Sequence, residues 1–106
     1  MKKFNLKDMH KGWLIGDFEP NIWHTKDFEV AIKQYESGDQ DPRHHHKEAT
    51  EFTVVISGEV EMNNIKYKEN DIIQINPHES SQFKCIKDAT LVVVKTASIK
   101  GDKYLD

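Results

Sequence analysis

GDQDPRHHHKEATEFTVVISG, residues 38–58, is the stretch on which the reading of this chain turns. It sets three consecutive histidines, His44, His45 and His46, between an Asp-Pro pair and a run rich in β-branched residues. In an extended chain, residues i and i+2 share a face. His44 and His46 therefore point one way and His45 the other. Glu51 comes five residues after His46, beyond the polar segment KEAT, which suits a turn. An antiparallel neighbour starting near Glu51 can carry its carboxylate onto the face of the two imidazoles. Two neutral imidazoles and a carboxylate form a donor set for one first-row divalent metal. A solvated polar run is the competing reading. An affinity tail is not, because these histidines lie inside the chain, between a turn and a strand.

Outward from this stretch, the apolar residues come in short runs and not in helical stripes. In FEVAIKQY (28–35), Phe28, Val30 and Ile32 take one face and Glu29, Ala31 and Lys33 the other, the period of a half-buried strand. EFTVVIS (51–57) and EVEM (59–62) follow, separated by Gly58. Asn63-Asn64 makes a tight hairpin turn, since Asn tolerates the positive φ required there. IKYK (65–68), DIIQI (71–75), SQFKCI (81–86) and ATLVVVK (89–95) complete the series, with Asn70-Asp71, Pro77 and Lys87-Asp88 as further punctuation. Short strands at regular spacing predict an all-β sandwich or barrel with a core over about 28–95. Residues 1–27 are expected as an arm or edge strand, and the charged end KGDKYLD, within 96–106, as frayed or docked on a neighbour.

The chain has 106 residues, so one domain is expected. Its 15 Lys and Arg against 18 Asp and Glu argue against nucleic acid as the main partner, since phosphate binding needs a basic surface. The single cysteine, Cys85, excludes an internal disulfide. The start MKKFNLKDMHKGW lacks the apolar run of a signal peptide, and no segment has the length or apolarity of a membrane-spanning helix. A cytoplasmic protein without a membrane partner is the expectation.

The spacing Gly38-x5-His44-x-His46-x4-Glu51-x6-Gly58 resembles the first motif of the cupin superfamily at every anchored position. The resemblance extends over roughly residues 28–95. It implies a double-stranded β-helix, or jelly-roll barrel, with His44, His46 and Glu51 as metal ligands. The second cupin motif departs from the family. In NDIIQINPHESSQF, Asn70 stands where Gly is usual, and the position of a further histidine ligand falls on Ser81. Phe83 matches the aromatic common two residues on, which supports that register. Ser81 is too short to ligate directly and is expected to hold a metal-bound water. His78, three residues early, is a surface turn residue or a replacement ligand or catalytic group.

Tyr35 can line the barrel mouth and bond a substrate, or simply cover the core. Cys85 is expected to face inward as a small hydrophobe. Trp13 and Trp23 suit an interface or the core equally. His10 and His24 are expected on the surface, and His45 outside the barrel, solvated or paired with Glu48.

The resemblance implies a metal-dependent enzyme binding one divalent ion, Fe(II), Mn, Ni or Zn. Its substrate would be a small polar molecule, a carbohydrate or a keto- or hydroxy-acid, and its reaction an isomerisation or epimerisation, a lyase step or a dioxygenation. The alternative is a non-catalytic binding or dimerisation module with a degenerate metal site. A homodimer is the implied assembly.

Overall fold

The apolar runs all become strands in the computed structural model, which describes residues 1–106. After a 3-10 turn at Leu6–Asp8, the strands are β1 (Trp13–Gly16), β2 (Trp23–His24), β3 (Glu29–Tyr35), β4 (Gln40–His45) and β5 (Thr50–Met62). β6 (Ile65–Lys68), β7 (Ile72–Ile75), β8 (Ser81–Thr96) and β9 (Tyr104–Leu105) follow. There is no α-helix, and so none long and apolar enough to cross a membrane.

The spine is the antiparallel pair β5 and β8, in register from Thr50 opposite Thr96 to Met62 opposite Phe83. The other edge of β8 carries β3 along residues 89–95 and β4 along 81–84. The other edge of β5 carries β7 along 51–54 and β6 along 59–62. Each long strand thus serves both halves of a sheet folded on itself, the double-stranded β-helix.

The sequence marks breaks at Gly58 and at Lys87-Asp88, yet β5 and β8 run through both. At Gly58 the strand bulges instead of ending, with register slips on either side. Its φ is +86°, and a Cβ there would sit 2.1 Å from the Asp88 carbonyl oxygen. Glycine lets the two backbones touch at the bend. The hairpin at Asn63-Asn64 forms as expected, with φ of 51° and 66° and Met62 opposite Ile65. Asn70 also has a positive φ, 75°, so it meets the backbone demand usually given to glycine.

The core is Ala31, Val55, Val60, Met62, Ile73, Ile75, Phe83, Cys85, Ala89, Leu91 and Val93. Cys85 is fully buried, as expected of a small inward hydrophobe. In β3, however, the inward set is the polar one. Ala31 is fully buried while Phe28 is 37% exposed. Period two gives two faces but does not say which is inside, and here the barrel interior is partly polar.

The ends of the chain extend the sheet. Residues 1–27 add β1 to β3 and β2 to β1. The tail is not frayed. β9 pairs with the free edge of β4, placing Leu105 opposite His44 and Tyr104 opposite His45. Ser98 and Asp102 are buried.

Candidate functional site

A cavity of about 920 Å³ lies between the barrel strands and the arm 6–12. That is within the usual size of a small-molecule site. His44, His46, Glu51, Ser81 and Tyr35 all line it. His78 does not. It is exposed in the turn after β7, with φ of 70°, and its backbone N–H donates to the His46 carbonyl at 2.6 Å. Its side chain is thus no part of the cavity, and its contribution to the site is made by the backbone.

His46 is 5% exposed. Its Nδ1–H donates to the backbone carbonyl of Asp102. That bond leaves Nε2 as a bare lone pair, and Nε2 is the one buried side-chain polar atom with no hydrogen-bond partner. An unpaired buried acceptor is costly, and it is the arrangement in which metal-ligating histidines are held. Burial pushes the His46 pKa down, with Lys95 adding to the effect and the Asp102 carbonyl and Glu51 opposing it. The ring is neutral near pH 7. His44 repeats the pattern, its Nδ1–H donating to the Pro42 carbonyl at 2.9 Å. The two rings lie edge to face with centroids 5.2 Å apart, so the shared face expected of positions 44 and 46 is present.

Glu51 Oε1 lies 3.7 Å from His46 Nε2. Two donors each about 2.1 Å from one ion stand about 3.0 Å apart at a right angle and about 3.4 Å at a tetrahedral angle. The pair is a few tenths of an ångström too open, well within the reach of a carboxylate rotamer. The full triad is not drawn together: no three His, Cys, Asp or Glu side chains converge on one point. Glu51 is also turned towards other partners. Thr53 Oγ1 donates to Oε2 at 3.3 Å, and Lys95 Nζ is 4.0 Å from Oε1. The donor types and the orphaned Nε2 therefore fit a divalent metal, with closure left to His44 and Glu51.

Ser81 is 6% exposed and lies directly opposite His44 on the neighbouring strand. It stands beside that histidine and not across the cavity from it, because β4 and β8 are bonded neighbours. Tyr35 packs on Phe83 at 4.6 Å between ring centroids, and its hydroxyl donates to Asp41 Oδ2 at 3.4 Å. Burial and the nearby carboxylates push its pKa well above the ordinary value, so it stays a hydroxyl donor.

His45 points out of the barrel as expected, but its partner is not Glu48. Its Nδ1 is 2.6 Å from Asp106 Oδ1 and its ring stacks on Tyr104 at 5.4 Å. The added strand β9 brings both groups alongside. The same tail carries Asp102, whose carboxylate accepts backbone N–H bonds from Lys47 (2.9 Å), Ala49 (3.0 Å) and Glu48 (3.3 Å). One residue therefore holds the His46 ring with its carbonyl and the turn after it with its side chain.

The sequence reading missed the polar interior of β3 and β8. Glu29, Lys95 and Glu51 lie in one row across β3, β8 and β5. Burial raises the Glu29 pKa, against the pull of Lys95. Trp13 is a half-buried cavity residue, with Lys33 and Lys95 4.9 and 5.0 Å from its ring centroid. Trp23 is 66% exposed. The lysine that ends ATLVVVK and the inward parity of Ala31 were the available signals for this wall.

No family model matches the chain, and no curated protein matches it in sequence. Solved structures do. An uncharacterised protein with a double-stranded β-helix domain from Klebsiella pneumoniae is 25% identical, with a TM-score of 0.68 over 76% of this chain and 71% of its own. A cupin protein from Bacteroides fragilis is 21% identical, with a TM-score of 0.61 over 73% of each chain. The chain has the cupin fold, the double-stranded β-helix. A bacterial pirin from Escherichia coli, solved in complex with nickel(II), shares the fold at 14% identity, with a TM-score of 0.69 over 83% of this chain and 39% of the pirin. The histidines and glutamate of the cupin-like motif, His44, His46 and Glu51, are among the residues that line the cavity described above.

Proposed function

We propose that this chain binds one divalent metal through His44, His46 and Glu51 and acts as an enzyme on a small polar molecule in the cavity. The observation that carries the reading is the lone pair of His46 Nε2, buried, unpartnered and 3.7 Å from the Glu51 carboxylate. The nickel complex of the pirin of similar fold supports nickel as the first ion to try. Such an ion supplies polarisation of a carbonyl or hydroxyl oxygen. The chain supplies the rest. Tyr35 offers a protonated hydroxyl, Lys95 an ammonium beside Glu51, and Glu29 a carboxyl whose pKa burial raises. Ser81, beside His44, is suited to bond a water and not to ligate.

One observation favours the alternative of a binding module without turnover. Lys95 already sets a positive charge 4.0 Å from Glu51, which partly fills the electrostatic role of a metal.

Calorimetric titration with nickel(II) separates the two. His46→Ala is expected to weaken binding by at least about 100-fold, the loss of one of few ligands, while His45→Ala stays within a few-fold of the parent. Binding should also weaken as pH falls, because an imidazole must shed its proton to ligate. Burial lowers the His46 pKa, so its share persists to more acidic pH than the ordinary value of about 6.5 would allow. Affinity that stays flat from pH 8 to pH 5, or no binding by the parent protein, contradicts the proposal.

A further inference from the structure

We propose that Lys33 and the Trp13 indole form a carboxylate-binding subsite on the arm side of the cavity, so that the molecule held in this barrel is a small carboxylic acid. The inference deepens the proposed function by naming a substrate class, but it uses the cavity and not the metal.

Five lysines line the cavity, Lys7, Lys11, Lys33, Lys95 and Lys103, and the two on its strands, Lys33 and Lys95, differ in their surroundings. Lys95 lies in register between two carboxylates, Glu29 on one side and Glu51 on the other. Lys33 lies opposite apolar Leu91. Its ammonium donates to the Lys11 backbone carbonyl at 2.7 Å and has no carboxylate at ion-pair distance. Asp41, the acidic group of β4 in this wall, is already bonded to the Tyr35 hydroxyl. A carbonyl takes one of the three ammonium hydrogens and leaves the charge unbalanced. Burial accordingly pushes the Lys33 pKa down to about 8. Asp41 opposes the shift, and Lys11 in the arm, Lys95 on β8 and Lys103 in the tail add to it. An anion at this point would recover the free energy that burial costs the ammonium.

The walls also select the kind of anion. Trp13 presents its ring 4.9 Å from the Lys33 ammonium, so the carbon skeleton of an acid whose carboxylate meets that charge can pack on the indole. Glu29, Asp41 and Glu51 surround the same space, and their charges oppose a dianion such as a phosphate monoester. A cation without a carboxylate partner, beside an indole and facing three carboxylates, suits a singly charged acid better than a dianion.

The chain has two tryptophans, so Trp23→Phe leaves Trp13 as the only indole reporter. In that background, metal-free protein is titrated with L-lactate and pyruvate, and with uncharged lactamide, while Trp13 fluorescence is followed. The two acids are expected to give a saturable change in the millimolar range and lactamide none. Lys33→Met should weaken the acids by about 10- to 100-fold, the cost of one charge-assisted bond, and Lys33→Arg should keep most of the affinity. If Lys33→Met does not fold, Lys33→Gln takes its place, and the comparison of acid with amide on the parent protein needs no variant. Equal response to lactamide, no saturable response to either acid, or unchanged affinity without the lysine each overturns the subsite. Because the titration is done without metal, loss of the metal proposal leaves it standing, and its own failure leaves the metal proposal intact.

Discussion

Asp102→Ala should lower stability by about 2 kcal/mol, since an amide left without an acceptor costs about 1–3 kcal/mol where buried, as at Ala49, and less at the part-buried amides of Lys47 and Glu48. The Asp102 carboxylate accepts three consecutive backbone N–H groups, from Lys47, Glu48 and Ala49, and all three lose their acceptor in the variant. The backbone carbonyl that holds His46 Nδ1 remains, but the turn on which both sit loses its anchor. Metal affinity should therefore fall too, by about 10- to 100-fold, the usual cost of removing a partner that orients a ligand. The pH dependence gives a sign. Burial alone would raise the Asp102 pKa, but the three amides outweigh it and hold the carboxyl below its usual value. A carboxylate depressed in the folded state adds stability above its unfolded pKa of about 3.9, and that share is lost as pH falls through the folded value. The stability gap between parent and variant, followed by urea unfolding, should thus be constant from pH 7 to about 5 and shrink towards pH 3. A gap that widens in acid, or a loss below about 1 kcal/mol at pH 7, would remove Asp102 from this role.

Gly58→Ala should cost about 3 kcal/mol or more by two independent routes. The backbone at φ +86° disfavours any L side chain by about 1–2 kcal/mol. The new methyl would also sit 2.1 Å from the Asp88 carbonyl oxygen and 2.7 Å from Ala89 Cα, both backbone atoms of β8. No side chain can rotate away to relieve such contacts, so the two spine strands must part at their bend. Urea unfolding should show a lower midpoint at unchanged slope. Gly38→Ala is the control. It has φ +95° but nothing within 4 Å of the new methyl, so it should lose only the backbone share. Equal losses at the two positions would mean that contact with β8 is not what reserves position 58 for glycine.

What the sequence discloses is local. Period two in 28–35, the Asn-Asn hairpin and the His-x-His pair all depend on neighbours a few residues away, and all appear in the structure. The spacing of Gly38, His44, His46, Glu51 and Gly58 carries the fold. What it conceals depends on distant partners. Asp102 meets the 46–49 turn across more than fifty residues, and nothing in the charged segment KGDKYLD distinguishes a buried acceptor from a solvated one. Gly58 looks like a terminator because glycine also ends strands, and its real reason, the Asp88 carbonyl, lies thirty residues on. The polar wall of Glu29, Lys33 and Lys95 stayed hidden because alternation cannot tell the inside of a barrel from the outside when the inside holds a polar site.

The account rests on His46 Nε2, His44 and Glu51 sharing one ion. The direct measurement is the anomalous scattering of a nickel-loaded crystal. It should show one strong peak per chain inside the barrel, about 2.0–2.2 Å from His46 Nε2, with His44 and the Glu51 carboxylate as its other protein ligands. A peak on the outer face at His45 and Asp106, a peak at His78, or none in the cavity at full nickel loading would contradict it.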